Sequence, residues 1–288
     1  MLLVNTFDVE PWWATVPPCV PDEAWDGMAD RSVAPIRDYL DLCDAAGVRC
    51  TFFFVGWYAQ RFPERVREVV ARGHEAGCHS MRHRDIATLS DAEFVADTRE
   101  AKSMVEDAAG REVIAYRAPS FSFPPERAAG LVGMLWELGF RIDSSISTAG
   151  RIHGGGFQKS RFPAPGPLDD TLGSPMFEVP VPGVALLGRE LQLFGGGYLR
   201  LAPSFLLNRL VRRETYQVLY VHPHDFDSDL PDLPNSSPLS NMRRRIRSGR
   251  LQDKVLMLFK QCEVLSCGEL FERSKLQMQA AHTEVAAV

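Results

Sequence analysis

The sequence predicts an α/β protein built on parallel strands. Short apolar runs alternate along the 288-residue chain with segments of helical periodicity, and the connections between runs are too long for hairpins. No internal repeat is present, and the only candidate linkers are a Gly/Pro-rich stretch at 150–175 and an Asp/Pro/Ser-rich stretch at 227–240. We therefore expect an α/β barrel or a doubly wound sheet in a single domain.

The strands are predicted where apolar residues run together between turn signals. The last of these runs, at 216–221, is the most strand-like in the second half of the chain because aromatic and β-branched residues dominate it. In order, the predicted strands cover residues 2–7, 50–55, 76–79, 113–116, 140–142, 177–181 and 216–221.

Five helices are predicted from apolar residues three or four apart and from terminal signals. The first ends at Gly47, the second begins at Pro63, a capping box of Ser90 and Glu93 begins the third, and the fourth ends at Gly139. The apolar positions of the five, in order, are Val33, Ile36, Leu40, Cys43; Val66, Val69, Val70; Phe94, Thr98, Ala101, Val105; Leu131, Leu135, Leu138; and Leu251, Val255, Leu258, Cys262.

Composition excludes several classes of protein. A formal charge of -5 disfavours a nucleic-acid protein that works by phosphate neutralisation. Six cysteines with no Cys-x-x-Cys fit neither a zinc knuckle nor a secreted disulfide scaffold. The start lacks a basic leader, and no apolar run approaches membrane-helix length. We expect a cytoplasmic protein that keeps its amino terminus, with a domain over 1–275 and a frayed tail over 276–288.

Unusual polar residues follow five of the predicted strands. In parallel α/β folds the carboxyl ends of the strands form the ligand-binding edge, so these residues are expected to meet there. The clusters are Asp8-Val9-Glu10, His79-Ser80-Met81-Arg82-His83, Arg117-Ala118-Pro119-Ser120, Asp143-Ser144-Ser145 and His222-Pro223-His224.

The second cluster has the spacing of a metal site. His79 and His83 are four residues apart, so on one face of a helical turn both could bind one divalent cation, with a carboxylate from another strand as third ligand. An isolated His-x-x-x-His more often caps or fills a loop, and an Asp-x-Glu pair is commonly surface charge. Their positions after buried strands favour a site.

The other clusters allow two interpretations each. Arg117 is either a surface arginine or a residue that orients a carboxylate through a bidentate pair. His222 is either a histidine at the rim of the core or an acid/base group, with Asp143 as its possible partner. His224 is a competing candidate for the metal, although Pro223 makes it hard for the side chains of the two histidines to converge.

Three further features carry weaker signals. Gly195-Gly196-Gly197-Tyr198 is too short for a dinucleotide fingerprint and predicts a loop of close approach. Trp12 and Tyr198, with Trp13 and Trp25, either stack on sugar rings or belong to ordinary packing. The basic run from Arg243 to Arg247 is either a solvated helix face or a contact with a phosphate-bearing substrate or carrier.

In their order and spacing the five clusters resemble the motifs of the polysaccharide deacetylase family (carbohydrate esterase family 4). The similarity spans roughly residues 2 to 273, and the Asp-Val-Glu, Arg-Ala-Pro-Ser-Phe-Ser and Gly-Gly-Gly-Tyr-Leu-Arg-Leu segments resemble the branch found with bacterial exopolysaccharide genes. The resemblance implies a distorted (β/α)7 barrel that holds one divalent metal ion, usually Zn²⁺, and removes N-acetyl groups from an aminosugar in a polysaccharide or its precursor.

The resemblance also implies the metal ligands. His79 and His83 would bind the ion together with a carboxylate of the first motif. In the family this motif has adjacent aspartates, whereas Val9 stands in the second place here, so the ligand is either Glu10 or Asp8. We favour Glu10.

The resemblance implies four catalytic roles. Asp8 would take the proton of the attacking water, and Arg117 would orient Asp8. The backbone N–H of Ser120 would help to hold the oxyanion, and His222, steadied by Asp143, would protonate the leaving amine. Ser120 replaces an aromatic residue common at this place in the family, which leaves the shape of the sugar pocket open.

Two alternatives remain beside this hypothesis. One is a deformylase or another hydrolase of C–N amide bonds on the same barrel, and the other is a catalytically silent relative that binds sugars. The nature of the sugar, whether monomeric, lipid-linked or polymeric, stays open in every case.

Overall fold

The computed structural model describes residues 1–16, 18–149, 157–186, 188–234, 236–246 and 250–286. Its strands are β1 (Leu2–Val9), β2 (Thr51–Phe54), β3 (Glu75–Cys78), β4 (Ala115–Tyr116), β5 (Ile142–Asp143), β6 (Gly166–Leu168), β7 (Ser174–Glu178), β8 (Val184–Leu186), β9 (Arg189–Leu191), β10 (Tyr216–Val221) and β11 (Glu263–Leu265). Its helices are α1 (Val33–Ala46), α2 (Gly56–Arg61), α3 (Pro63–Ala71), α4 (Asp91–Ala109), α5 (Ala128–Glu137), α6 (Asp169–Leu172), α7 (Gly196–Leu201), α8 (Ser204–Val211), α9 (Pro223–Phe226), α10 (Pro238–Arg245), α11 (Leu251–Gln261) and α12 (Cys267–Ala286).

One sheet forms the frame of the molecule. Its strands follow the order β10-β1-β2-β3-β4-β5-β7-β6, and β11 pairs with the start of β1. Every pair is parallel except β6 with β7, so the carboxyl ends of the main strands share one edge. The sheet curls into a half-barrel, which confirms the predicted α/β class and the distorted-barrel architecture in a single domain.

The concave face of the curled sheet carries its own apolar core. Val4, Phe53, Phe177 and Val218, from four different strands, belong to one buried cluster, and a larger cluster packs the helices against the outer face. Because side chains alternate along a strand, Asp8 lies on the same side of β1 as Val4. The inner core therefore leads directly to the polar edge.

Side-chain hydrogen bonds link the two ends of the curled sheet. The Tyr216 hydroxyl donates to the carbonyl of Pro180 at 2.8 Å, and the Tyr220 hydroxyl donates to Gln192 Oε1 at 2.6 Å. Tyr216 and Tyr220 belong to β10, whereas Pro180 follows β7. Side-chain contacts thus join the β10 edge to the segment after β7, the strand next to the other edge strand β6, in keeping with a distorted barrel.

The predicted elements agree with the structure where the sequence has a long period or a strong terminal signal. The helix that ends at Gly47 (φ 65°) and the Ser90–Glu93 capping box are both present. The hairpin β8–β9, strands β6 and β11 and the helices shorter than ten residues, α3 apart, were not predicted because each has too few residues to show a period. α12, which has 20 residues, was not predicted either, because its apolar residues show only weak periodicity. It continues to Ala286 through most of the expected tail, and fraying there stays a prediction.

No helix in the described part of the chain is both long enough and apolar enough to cross a membrane.

Candidate active site

Two carboxylates occupy the carboxyl end of β1. Asp8 and Glu10 are 3% and 6% exposed, and they lie two residues apart, so their side chains point to the same side. β1 runs to Val9, two residues beyond the strand predicted at 2–7. Asp8 therefore lies within β1 instead of after it. Strand geometry thus fixes both carboxylates at the edge of the barrel.

Glu10 meets two imidazoles. Its Oε2 lies 2.6 Å from His83 Nε2 and 3.7 Å from His79 Nε2, and the three ligand atoms are all within 4.8 Å of one another. All three residues are buried, and two imidazole nitrogens with one carboxylate oxygen form a donor set typical of a divalent transition metal. Burial raises the pKa of Glu10, but the histidines outweigh it and hold the pKa well below the usual value.

The loop that presents the two histidines is not the helical turn that the sequence analysis expects. Ser80 and His83 have φ values of 60° and 54°, in the left-handed region, and the His83 N–H donates to Ser80 Oγ at 3.0 Å. This tight loop places the two rings 5.1 Å apart. His79 and His83 are close together, as their spacing predicts, but a tight loop and not a helical turn brings them together.

His79 is oriented by a bond behind the site. Its Nδ1 lies 2.7 Å from the carbonyl oxygen of Arg117, which can only accept, so Nδ1 carries the proton. The lone pair of Nε2 then faces Glu10, as a metal ligand requires. A backbone carbonyl in this role fixes both the tautomer and the ring plane.

Arg117 is fully buried and is not a surface residue. Its Nη1 donates at 2.8 Å to Asp8 Oδ1 and at 2.8 Å to Thr6 Oγ1. Its Nη2 and Nε donate to the hydroxyl and carbonyl oxygens of Ser144, and the guanidinium lies 4.4 Å from the Phe53 ring centre. Arg117 therefore holds Asp8 through a single hydrogen bond and not through the expected bidentate pair, and its other bonds fix the guanidinium itself.

His222 is bonded to Asp225, and not to Asp143 as the sequence analysis expects. His222 Nδ1 is 2.9 Å from Asp225 Oδ2, and the same oxygen accepts from the His222 backbone N–H at 3.0 Å. His222 Nε2 lies 3.8 Å from Asp8 Oδ2. Burial lowers the pKa of His222, but the carboxylates of Glu10, Asp225 and Asp8 outweigh it and raise the pKa to about 9.

Asp143 takes part in a different network. Its carboxylate accepts from Ser145 Oγ at 2.5 Å and is bonded to the buried Glu178. Burial raises the pKa of Asp143 to about 6, and burial together with Asp143 raises that of Glu178 well above its usual value, so the pair holds a proton. Ser145 Oγ accepts in turn from Ala118 N at 2.8 Å. Asp143 thus supports the loop after Arg117.

Backbone strain is concentrated in the loops of the site. Among the described residues other than glycine, positive φ occurs at Ser80, His83, Ser120 and Phe121. Each such residue costs about 1–3 kcal/mol and persists where the surroundings hold it in place. Ser120, proposed from the sequence to donate its N–H, is half-buried in the second of these loops.

Arg200 and Asp225, which were not predicted as site residues, hold the acid/base pair. Arg200 Nε lies 3.5 Å from Asp225 Oδ1, and Arg200 is 5% exposed. Asp225 itself is signalled locally, because an aspartate three residues after a histidine forms a capping box at α9. Arg200 has no such signal, since α7 and α9 meet only in the folded chain.

The glycine run makes the close approach that it predicts. A Cβ added at Gly195 would overlap the Tyr220 ring, and one added at Gly196 would overlap the Asp225 carboxylate. A Cβ at Gly197 would meet nothing within 4 Å. The start of α7 can therefore lie against Tyr220 and Asp225 only because Gly195 and Gly196 carry no side chains.

We expect Gly196→Ala to displace the Asp225 carboxylate and to weaken its bond to His222. Turnover should fall at least about tenfold because the acid loses its orienting partner, and the free energy of unfolding should fall by about 1–3 kcal/mol, as for other overpacked sites. Gly197→Ala is the matched control and should change neither. Steady-state kinetics and thermal unfolding of the pair decide this, and equal kinetics in both variants would contradict it.

Two of the aromatic residues that the sequence offers for sugar stacking differ in their surroundings. Trp12 is 8% exposed, donates its Nε1–H to the Ala29 carbonyl at 3.2 Å and packs edge-on against Trp13. That environment is ordinary packing. Tyr198 is half-buried at the edge of the core and keeps part of its ring accessible.

His224 lies closer to His222 than expected. The two rings are stacked with centres 4.8 Å apart, so Pro223 does not keep them from converging. His224 Nδ1 is 3.8 Å from Glu10 Oε1, and burial lowers the pKa of His224 to about 4. The neutral imidazole of His224 therefore borders the site, next to the imidazole of His222.

The basic run is largely engaged in structural contacts. Arg244 Nη2 donates to the Trp12 carbonyl at 2.6 Å, and Arg245 Nη1 pairs with Asp232 at 2.8 Å. Arg247 and the side chain of Arg243 lie outside the described residues. A contact of this run with a phosphate carrier stays a prediction.

Two family models and several curated proteins match parts of this chain. Residues 25–131 match the family model described as polysaccharide deacetylase, and residues 144–272 match one described as a domain of unknown function (DUF3473). A peptidoglycan-N-acetylglucosamine deacetylase from Bacillus cereus is 31% identical over 117 residues, which are 39% of this chain and 54% of that protein. A chitin deacetylase from Colletotrichum lindemuthianum is 33% identical over 115 residues, 38% of this chain and 45% of that protein. The match thus spans about half the length of these relatives.

A solved structure shares the fold over nearly the whole chain. A crystal structure of a candidate polysaccharide deacetylase from Mycobacterium smegmatis aligns with a TM-score of 0.64 and 20% identity, over 96% of this chain and 91% of that chain. The family model over residues 25–131 and the shared fold both support a member of the polysaccharide deacetylase family.

Proposed function

We propose that the protein is a metal-dependent hydrolase that removes N-acetyl groups from an aminosugar in a polysaccharide or its precursor. The observation that carries this proposal is the meeting of Glu10, His79 and His83 with the Asp8–His222 pair at one buried edge. A ligand set beside a candidate base and a candidate acid is what amide hydrolysis needs.

Glu10, His79 and His83 would hold one divalent cation. The donor set of two imidazoles and one carboxylate favours Zn²⁺ and leaves room for water and substrate. When bound, the cation would polarise the acetyl carbonyl and lower the pKa of a water molecule toward about 7.

Asp8 would act as the base. As the water oxygen attacks the acetyl carbon, Asp8 Oδ2 accepts the proton, while Oδ1 stays bonded to Arg117. Arg117 thereby restricts Asp8 to one orientation and leaves a single oxygen for the reaction. The N–H of Ser120 would stabilise the negative charge that develops on the acetyl oxygen.

His222 would act as the acid. Its Nε2 proton goes to the sugar nitrogen as the C–N bond breaks, which yields a free amine and acetic acid that keeps the second proton of the attacking water. At neutral pH the acetic acid passes that proton to the amine or to solvent and leaves as acetate. Asp225 holds the other ring nitrogen and stabilises the charged ring before the transfer. Because Asp8 Oδ2 lies 3.8 Å from His222 Nε2, the proton taken from water has a short path back to the acid, and the site returns to its starting state.

We expect Asp225→Asn to move the alkaline limb of the kcat/KM profile to lower pH. Asp225 is one of the groups that raise the pKa of His222, and the acid must be protonated, so activity is lost as pH rises through the pKa that His222 has in the metal-loaded protein. Without the negative charge the pKa falls and the loss begins earlier. An unmoved limb in the variant would assign this titration to another group.

The substrate is tested by product release. The metal-loaded protein is incubated with N-acetylated oligosaccharides, nucleotide sugars and lipid-linked sugars, and acetate and formate are measured separately, with His79→Ala as the inactive control. Acetate release supports the proposal, and the active members of the panel identify the substrate class, which we propose to be an exopolysaccharide precursor. Formate release would assign a deformylase. Binding without any release would indicate a silent relative.

A further inference from the structure

An exposed aromatic residue and three arginines share one surface. On α8, Phe205 and Arg209 are four residues apart. Arg212 follows three residues later, immediately after the end of the helix, so the three side chains lie on one face of it. Together with Asn208 and Arg213 they line a surface groove of about 490 Å³. We call Phe205, Asn208, Arg209, Arg212 and Arg213 the α8 patch.

The α8 patch is unusual in both of its components. Phe205 is 75% exposed, the most exposed of the large apolar side chains in the described part of the chain. Arg209, Arg212 and Arg213 are exposed and have no ion-pair partner among the described residues, and the adjacent acid, Glu214, is half-buried. Elsewhere arginines such as Arg244 and Arg245 are engaged within the protein. The local charge is therefore positive, although the whole chain carries -5.

The corner that carries the α8 patch is firmly held. Lys254 of α11 is 9% exposed, and its Nζ donates to the carbonyls of Leu199, Arg200 and Ala202 at 2.9, 2.7 and 2.8 Å. These bonds satisfy the carboxyl end of α7 immediately before α8 begins. Phe205 is thus presented on a fixed helix and not on a loose turn.

We propose that the α8 patch docks the protein on the surface of an anionic lipid bilayer. A phenylalanine flanked by unpaired arginines matches such a surface, because the ring enters the interface while the guanidinium groups pair with lipid phosphates. Free phosphate would satisfy the arginines but would leave Phe205 in water, and the net charge of -5 disfavours nucleic acid. Charge complementarity and the exposed ring therefore favour a bilayer.

The inference goes beyond the proposed activity and concerns where that activity takes place. α7 joins the two regions, since Arg200 contacts Asp225 at the site and Leu201, one residue later, is 48% exposed beside α8. Docking through the α8 patch would hold the protein at the bilayer, where lipid-linked sugars are held. The docking test requires no turnover and is independent of the proposed reaction.

The experiment measures binding of the purified protein to vesicles of phosphatidylcholine with or without phosphatidylglycerol. We expect binding only to the anionic vesicles, weakened by salt, and at least about a tenfold loss for Arg209→Glu/Arg212→Glu and for Phe205→Ser. Arg67→Glu/Arg99→Glu and Leu276→Ser, which change exposed residues on α3, α4 and α12, are the matched controls and should bind like the unchanged protein.

Three results would overturn the proposal. They are absence of binding to anionic vesicles, equal losses in the control variants, and displacement from vesicles by soluble glycerol phosphate, which would reduce the patch to a phosphate contact. Sedimentation velocity provides a further check, because concentration-dependent dimers that Phe205→Ser abolishes would show that a second copy covers the patch instead. Circular dichroism confirms that each variant is folded.

Discussion

Replacing either His79 or His83 with alanine is expected to empty the metal site and to abolish deacetylation. Each imidazole supplies one of three protein ligands, and two remaining ligands compete poorly with water for a divalent cation. The metal content of the purified variants, measured by mass spectrometry, should fall to that of a metal-stripped sample. Activity should fall by more than the factor of about 10² to 10⁴ expected from losing a single acid/base group.

His222→Ala is the matched variant from the same edge. It should keep the metal and lose turnover by about 10² to 10⁴, because His222 is assigned to proton transfer and its Nδ1 is bonded to Asp225 instead of facing Glu10. If His222→Ala loses the metal while His83→Ala keeps it, then His222, at the start of α9, is a metal ligand. The assignment of His83 as a ligand and of His222 as the acid is then wrong. The stacked His224 would then be the next ligand to test.

The positions of the site residues could be predicted because they depend on topology. Parallel strands bring their carboxyl ends to one edge, so Asp8, His79, Arg117 and His222 had to approach one another once the strands were recognised. The buried strand before each cluster made that inference possible. No distance along the sequence would have indicated it, since Asp8 and His222 are more than two hundred residues apart.

The partners of these residues could not be predicted in the same way. Asp143 and Asp225 both lie near the edge, and only the path of the chain after β10 shows that Asp225 turns back to His222. Asp143 instead shares a proton with Glu178, a residue inside a strand that no motif marks. Which side chains pair depends on differences of a few ångströms in the positions of their atoms, and strand order does not determine these positions.

Local conformation was a second source of error. The spacing of His79 and His83 suggested a helical turn, whereas the chain passes through left-handed conformations at Ser80 and His83. Neither is glycine, so composition carries no sign of a positive φ. Such strain is retained where function requires a particular backbone geometry. Predictions of conformation from sequence are therefore expected to fail most often at functional sites.

The division of labour between Asp8 and Glu10 gives the other large effect. Glu10 Oε2 lies 2.6 Å from His83 Nε2, whereas Asp8 Oδ1 is bonded to Arg117 and Oδ2 faces His222. We therefore expect Asp8→Asn to keep near-normal metal content and to lose about 10² to 10⁴ in turnover, since an amide cannot accept the proton. Glu10→Gln should bind the metal more weakly and recover part of its activity in excess metal.

Metal titration of both variants by calorimetry separates these roles, and the stability of Asp8→Asn must be followed alongside. Arg117 is fully buried, so removing the charge of its partner leaves a guanidinium without a counter-ion, although the amide oxygen can still accept its hydrogen bond. A lower melting temperature with intact metal affinity is the expected result for Asp8→Asn. If that variant fails to bind metal while remaining folded, and Glu10→Gln binds normally, Asp8 is the ligand and Glu10 the base, because only a ligand's loss changes affinity without changing the fold.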